Sequence, residues 1–309
     1  MYKDMKQWLC KPFLRAVVTG IIAILLLNTG FVQAESNATI VYWVFDISTA
    51  NSQFGYWDGT VSKPVGQSFD GGDFEGLSCI GSTIYATSGG DGNVVSRLAR
   101  ITISIDSDTA ITTTIGTVQD ANNKPFYEVA SLAARTSDNT LWAYAAIAGP
   151  NTGGTGIIKI DPTTGRAELK QAATLDVAAV AWLGNTLYLA DGNNMHSWTE
   201  GGAISDVLFE VNDIQEIEAL DATPSGNLYI GGDGSAVQEI TTTGQKVNTI
   251  VFAVTDRDNN SGDPESLTFC QTPTSLDEVS EPAFVPTALE ESREPAALLP
   301  RIYLPLVRQ

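Results

Sequence analysis

Short apolar runs separated by polar turns recur along the chain in a similar order. Each begins with a strand of small apolar residues. A turn containing Gly, Asn or Asp follows, and the next strand opens with Thr or Asn, an aliphatic residue and an aromatic. The four stretches span residues 74–88, 129–145, 177–191 and 217–232, with the aromatics Tyr85, Trp142, Tyr188 and Tyr229. Because tight turns between strands need residues that tolerate positive φ, each stretch predicts a β-hairpin.

Two further segments, 156–169 and 236–252, predict a third and a fourth strand on either side of a Thr-Thr-Gly turn. A fifth first strand is predicted at 264–270, and no pattern of a second strand follows it before the segment rich in Pro. The stretch 39–57 resembles a third strand and would complete that unit. The first strands are centred on Leu77, Leu132, Val180, Leu220 and Leu267, so their spacings are 55, 48, 40 and 47 residues. This period predicts an all-β fold: a five-bladed β-propeller closed by N- and C-terminal strands in one blade.

The two ends of the chain differ from this repeat. Residues 1–34 predict a secretory signal peptide, with four basic residues before an apolar run and Val-Gln-Ala at 32–34; a retained membrane anchor is the alternative. The propeller would then occupy 35–270 of a secreted or extracellular protein. Residues 271–309 form a linker rich in Pro and acids, followed by the apolar and basic tail "RIYLPLVRQ", which is too short to span a bilayer. The tail is interpreted as a sorting signal, an extra strand or a disordered end.

Charge restricts the possible partners. Without residues 1–34, 13 of the 17 basic residues and 35 of the 36 acidic residues remain, so the net charge changes from −19 to −22. This charge disfavours nucleic acid as a partner. It suits a divalent cation or a cationic surface, although solubility alone also explains it. We expect a monomer without a membrane span in the mature chain.

Three cysteines are present, and Cys10 lies inside the predicted signal peptide. Cys79 and Cys270 would lie on the first strands of neighbouring blades. In an oxidising compartment a disulfide between them is expected if their Cα atoms approach within roughly 4.4–6.8 Å; two free buried thiols are the alternative.

The sequence lacks the residues that many catalytic mechanisms require. His196 is the single histidine, which excludes zinc sites rich in histidine, and it is interpreted as a surface residue in a loop. No Gly-x-Ser-x-Gly elbow and no phosphate-binding Gly-Lys-Ser/Thr loop occurs. No catalytic residue can therefore be named.

Acids do recur with the repeat. One lies four residues before the centre of every first strand, and three repeats have a second acid two residues later. The first set is Asp73, Glu128, Asp176, Glu216 and Asp263, and the second is Glu75, Glu218 and Glu265. In a propeller the loops that enter first strands share a face, here called the top face, with the loops joining second to third strands. Those second-to-third loops add Asp91, Asp191 and Asp233.

Carboxylates that converge on one face repel each other unless a cation lies between them or some become protonated. Calcium is the cofactor that this chemistry favours, because it accepts several oxygen ligands from flexible loops. The densest group of such oxygens is in 256–265, at Asp256, Asp258, Asn260, Asp263 and Glu265. An architectural role is the alternative, in which each acid bonds backbone amides at a blade junction.

The junctions "DFEGL" (73–77) and "DPESL" (263–267) resemble the Asp-x-Glu-Gly-Leu/Ile signature of the phytase-like esterase and SdiA-regulated propeller families. The resemblance covers these motifs and the blade pattern. It implies an extracytoplasmic propeller in which Asp73, Glu75, Asp263 and Glu265 bind calcium. It also implies that the ion polarises a phosphoester or lactone oxygen and activates a water.

Three functions follow from these patterns. The first is a secreted binding module whose calcium-binding top face engages a carbohydrate or a cell-surface partner. Four tryptophans could stack on sugar rings if they were exposed, whereas core packing is the interpretation favoured for most of them; they are Trp43, Trp57, Trp182 and Trp198. The second is a calcium-dependent phosphoester or lactone hydrolase. The third is a structural interaction protein of the cell envelope.

Overall fold

The computed structural model describes residues 40–48, 51–70, 73–89, 94–232, 236–254 and 264–270. The chain divides into two compact units, Met1–Pro273 and Thr274–Gln309, and all described residues belong to the first. The predicted signal peptide, the linker and the tail lie outside the described residues.

The described residues form twenty strands and no helix, arranged in five antiparallel sheets of four strands. Blade 1 contains β4 (Phe74–Ile80), β5 (Thr83–Ser88), β6 (Arg97–Ser104) and β7 (Thr109–Thr117). Blade 2 contains β8 (Ser131–Arg135), β9 (Thr140–Ala145), β10 (Gly156–Ile160) and β11 (Ala167–Ala172). Blade 3 contains β12 (Val177–Leu183), β13 (Thr186–Asp191), β14 (Asn194–Trp198) and β15 (Phe209–Glu210).

Blade 4 contains β16 (Ala219–Ala222), β17 (Leu228–Gly231), β18 (Val237–Ile240) and β19 (Lys246–Phe252). Blade 5 contains the last described strand, β20 (Pro264–Cys270), and the first three, β1 (Ile40–Ser48), β2 (Asn51–Trp57) and β3 (Ser62–Asp70). Its strand order is β20-β1-β2-β3, so the ring is closed by N- and C-terminal strands within one blade. The predicted fold class, blade number and mode of closure are confirmed.

One detail of the strand prediction was wrong. Residues 39–57 resembled a third strand, but β1 is the second strand of its blade and β2 is the third. Trp43 pairs with Leu267 on one side and with Gly55 on the other. The position of a strand within blade 5 depends on β20, more than 200 residues away in sequence, so the local pattern around 40–48 could not reveal it.

The four predicted hairpins form as expected. Gly81, Asn139, Gly184 and Gly226 lie in their turns with φ of 62°, 53°, 61° and 89°. Only residues that tolerate the left-handed region adopt such values without strain, which explains the Gly and Asn in these turns.

The core is divided among the five junctions between blades. Leu132 and Leu98 pack between blades 1 and 2, Trp182 and Trp142 between blades 2 and 3, and Leu220 and Ala179 between blades 3 and 4. Leu267 and Tyr229 pack between blades 4 and 5, and Leu77 and Val44 between blades 5 and 1. Each blade buries one face against each neighbour, so the ring is held mainly by apolar burial.

Polar side chains also cross the junctions at the first strands. The Ser266 hydroxyl accepts a hydrogen bond from the Leu77 amide at 2.9 Å, and the Ser131 hydroxyl accepts one from the Val180 amide at 2.8 Å. Between blades 1 and 2, Gly76 permits a close approach, because a Cβ there would lie 3.0 Å from the Leu132 nitrogen. The first strands are thereby fixed relative to each other.

Candidate functional site

The strand directions place the two kinds of acidic loop on one face, the top face. First strands begin there, second strands end there, and the loops between second and third strands lie beside the entries to first strands. Several predicted acids lie on this face within the described residues: Asp73, Glu75, Glu128, Asp176, Asp191, Glu216, Glu218 and Glu265. The other predicted acids and ligands, Asp91, Asp233, Asp256, Asp258, Asn260 and Asp263, lie outside the described residues.

Asp73 enters blade 1 beside the junction with blade 5. Its carbonyl accepts a hydrogen bond from the Gly89 amide at 3.2 Å, and the next amide, that of Phe74, donates to the Ser52 hydroxyl at 2.9 Å. The Asp73 carboxylate does not contribute to either bond. Its Oδ1 atom is buried and has no hydrogen-bond partner.

The same main-chain bond recurs in blade 2, where the Glu128 carbonyl accepts from the Ala146 amide at 3.1 Å. A carbonyl is present in every residue type, so this bond explains why the position recurs but not why it is acidic. The Oδ1 atom of Asp73 therefore makes none of the backbone amide bonds that the architectural interpretation assigns to the side chain.

A second group of acids lies between blades 2 and 3. Asp176 precedes β12, Asp191 ends β13, and the charges of both raise the pKa of Tyr144 on β9. Burial of the Tyr144 hydroxyl is the largest cause of that increase, which brings the pKa to about 12. Asp176 and Asp191 enter the top face from different loops, yet both lie near the same hydroxyl.

His196 is not the surface loop residue that the sequence suggested. It lies in β14, its exposed fraction is 7%, and its Nδ1 atom is 3.0 Å from the Ser205 carbonyl oxygen. The loop 199–208 that carries Ser205 has no counterpart in the repeat. For this reason the repeat pattern did not indicate that His196 would be covered.

Most of the tryptophans considered for sugar stacking pack in the core instead, which was the alternative for them. Trp43, Trp182 and Trp198 are buried, and Trp57 is half-buried and stacked on Phe252 with ring centroids 5.0 Å apart. Trp182 and Trp198 pack with Trp142 between blades 2 and 3. A stacking platform for sugar requires exposed ring faces, so these residues do not provide one.

The face opposite the top face, here called the bottom face, has a compact charged cluster at the same junction. Arg135 lies over the rings of Trp142 and Trp182, 4.7 and 5.1 Å from their centroids. It donates to Asp138 at 3.0 and 2.5 Å and to Glu200 at 2.6 Å. These hydrogen bonds hold the pKa of Asp138 and of Glu200 below the usual range. The cluster links blades 2 and 3.

Cys79, on β4, is bonded to Cys270, on β20, across the junction of blades 1 and 5. Their Cα atoms are 5.4 Å apart, within the range that a disulfide requires. The bond attaches the last described strand to a neighbouring blade.

Among the described residues, no three His, Cys, Asp or Glu side chains lie close enough together to hold a metal ion. The oxygen chemistry of Asp73, Glu75 and Glu265 nevertheless suits calcium. Within the same residues, no helix is long and apolar enough to cross a membrane.

No family model matches the chain, and no curated protein matches it. Solved structures that resemble it include TolB from Acinetobacter baumannii, at 12% identity and a TM-score of 0.42, covering 78% of this chain and 54% of TolB. A protein of unknown function from Bacteroides caccae matches at 11% identity and a TM-score of 0.43, covering 76% of this chain and 100% of that protein.

The WD40 propeller domain of Doa1 matches at 11% identity and a TM-score of 0.34, covering 57% of this chain and 53% of that chain. The match to TolB spans about half the length of that structure. Resemblances at this level do not bear on function, and the propeller assignment rests on the five sheets themselves.

Proposed function

We propose that the chain is a secreted binding module whose top face binds calcium and, through it, a carbohydrate or surface partner. The observation that supports this most directly is the buried Asp73 Oδ1 atom without a hydrogen-bond partner. A buried carboxylate oxygen that bonds nothing is costly, and a cation at the top face would satisfy it.

Calcium would be held where blade 5 meets blade 1. Asp73 and Glu75 come from blade 1 and Glu265 from blade 5, on adjoining first strands. Asp256, Asp258, Asn260 and Asp263 of the preceding loop would supply further oxygen ligands. Calcium takes six to eight oxygens, so both segments would be needed to complete the shell.

The burial of three tryptophans affects the choice of partner. Because these buried rings are not available for stacking, a carbohydrate would be recognised through calcium-bound hydroxyl or carboxylate groups. The alternative hydrolytic function remains a prediction from the motif resemblance, and no specific contact of the described residues favours it over binding.

The test is the melting temperature of the purified protein in chelator and then across a calcium titration, with magnesium as the control cation. Calcium at about 100 times its dissociation constant should stabilise the fold by about 2.7 kcal/mol. For a domain of this size, that corresponds to about 5–10 °C. Asp73→Asn should abolish most of the increase, whereas Asp106→Asn, an exposed acid in a bottom-face turn, should leave it unchanged.

No change in melting temperature at millimolar calcium would refute the calcium proposal. Binding to a glycan array in calcium and in chelator then tests the partner. Signals that require calcium support a carbohydrate partner, and equal signals in both conditions contradict recognition through the ion.

A further inference from the structure

The top end of the junction between blades 2 and 3 has polar groups that the calcium proposal does not use. Leu187 and Leu189 of β13 belong to the apolar cluster formed with Tyr144 of blade 2, so this side of blade 3 faces blade 2. His196 pairs with Leu189 across β13 and β14 and shares that side. Asp191 is two residues beyond Leu189 on the same strand, at its top end.

With a neutral imidazole ring, His196 presents a hydrogen-bond acceptor to the carboxylate of Asp191. The Nδ1 atom of His196 must carry the ring proton to bond the Ser205 carbonyl oxygen, 3.0 Å away. In the neutral ring, Nε2 is then an acceptor, and it lies 4.0 Å from the Asp191 Oδ2 atom. This distance is too long for a direct hydrogen bond, but a donor placed between the two atoms could bond both.

The Tyr144 hydroxyl is a third polar group at this place. The side chain is fully buried, and its oxygen has no partner within hydrogen-bond geometry, although the Leu175 amide is near enough to lower its pKa. A buried hydroxyl without a well-placed partner is unfavourable, so a bound group that bonds it would stabilise this place.

The local charge is negative. No Lys or Arg occurs from residue 171 to residue 245, a stretch that includes all of blade 3. Asp176 is exposed, and the Asp191 side chain is 29% exposed, so these two carboxylates lie at the solvent side of the buried His196 and Tyr144. A cationic ligand would therefore be attracted to this entrance.

The spacing of the acceptors distinguishes between cations. Tetrahedral zinc holds its ligands at about 2.0–2.1 Å, and a 4.0 Å separation would open the angle at the metal to about 150°. Calcium prefers oxygen ligands and would not select the imidazole nitrogen. An ammonium nitrogen that donates two linear hydrogen bonds holds its two acceptors about 4.6 Å apart. Modest bending of these hydrogen bonds allows the 4.0 Å separation of His196 Nε2 and Asp191 Oδ2.

We propose that the top of this junction binds a primary ammonium group, which donates to Asp191 and His196 while Tyr144 and Asp176 complete the site. The group would come from a small amine or from a lysine side chain of a protein partner. The proposal does not depend on calcium, and its test is performed in chelator so that the two proposals can fail separately.

His196 provides a selective reporter, because it is the only histidine in the sequence. The purified protein, without a histidine tag, is titrated with n-butylammonium while the His196 ring resonances are recorded by NMR. A saturable shift is expected. Butanol and tetramethylammonium are the controls, since the first lacks charge and the second lacks N–H donors.

Asp191→Asn should weaken the binding of butylammonium at least 10-fold, and Tyr144→Phe should weaken it several-fold. Asp106→Asn, an exposed acid in a turn of blade 1, should not change it. Melting curves verify that each variant is folded. Tighter binding of Nα-acetyl-lysine methylamide than of butylammonium would indicate a protein lysine, and equal binding would indicate a small amine.

Three results would overturn the proposal. The first is the absence of a saturable shift, which means that water alone fills the site. The second is an equal shift with butanol or tetramethylammonium. The third is unchanged binding in folded Asp191→Asn.

Discussion

The carboxylate of Asp221 accepts a hydrogen bond from the Phe269 amide at 2.8 Å and thereby joins the first strand of blade 4 to that of blade 5. The other carboxylate oxygen accepts from the Ala222 amide at 2.7 Å. Burial nevertheless raises the pKa of Asp221 to about 6, and the hydrogen bonds from Phe269, Ala222 and Thr268 only partly oppose this. The charged carboxylate is therefore less favourable in the folded state than in the unfolded chain.

This relationship predicts that the contribution of Asp221 to stability falls as the pH rises from about 4 to 7. The folded pKa of Asp221 lies above the unfolded value of 3.8, so its stabilising effect is complete below 3.8 and is lost as the pH passes about 6. The change is at most about 3 kcal/mol and less in practice, because the side chain keeps some contact with solvent. Urea unfolding between pH 4.5 and 7.5 measures it.

Asp221→Asn should flatten this slope. One of the two amides loses its acceptor in the variant, so the slope and not the absolute stability is the relevant quantity. Asp106→Asn, in an exposed turn, should leave the slope unchanged. Asp138, Asp161 and Asp213 have lowered pKa values, so they act at lower pH. An equal slope in Asp221→Asn would contradict the assignment to Asp221.

The repeat could be predicted because its signals are local. Gly184 and Asn139 identify their turns, and Tyr85 and Tyr229 identify second strands, without reference to distant residues. The five first strands then fix the blade number. The closure of the ring was predictable as well, because the first-strand pattern at 264–270 leads directly into a segment rich in Pro and acids instead of a hairpin pattern.

The burial of side chains between neighbouring blades was harder to predict from the sequence. Trp182 and Trp198 belong to one blade and pack against Trp142 of another, so no single repeat shows that their rings are covered. Tyr144 is a similar case, since its hydroxyl lies near Asp176 and Asp191 of the next blade. Such contacts depend on the packing of blades around the ring, which the spacing of the repeat does not specify.

The disulfide between Cys79 and Cys270 should contribute strongly to stability. It closes a segment of 191 residues, for which the loss of unfolded-chain entropy corresponds to about 5 kcal/mol, although measured effects are commonly about 2–4 kcal/mol. Dithiothreitol should therefore lower the midpoint of guanidinium unfolding. The double variant Cys79→Ser/Cys270→Ser should be destabilised similarly and should not respond to the reductant. Titration of two free thiols in the native protein would refute the bond.

Arg135 should be the most sensitive cation of the bottom face. Its side chain is only 13% exposed, and it bonds two carboxylates while it covers Trp142 and Trp182. Arg135→Met keeps much of the apolar contact but removes the charge, and we expect a loss of about 1–3 kcal/mol. Arg100→Met, at an exposed position of β6, should change the stability by less than about 0.5 kcal/mol. Equal unfolding midpoints for the two variants would contradict this role.

Ser131 should stabilise the junction of blades 2 and 3 through one hydrogen bond. Ser131→Ala leaves the Val180 amide without its acceptor in a buried position, which should cost about 1–3 kcal/mol. Hydrogen exchange locates the effect. The Val180 amide should lose protection through local opening. The Leu77 amide, bonded to Ser266 at another junction, should lose protection only by the amount that corresponds to the decrease in global stability. Ser82→Ala, in an exposed turn, is the control. Equal loss of protection at Val180 and Leu77 would show that the effect is global and that the Ser131 bond has no local role.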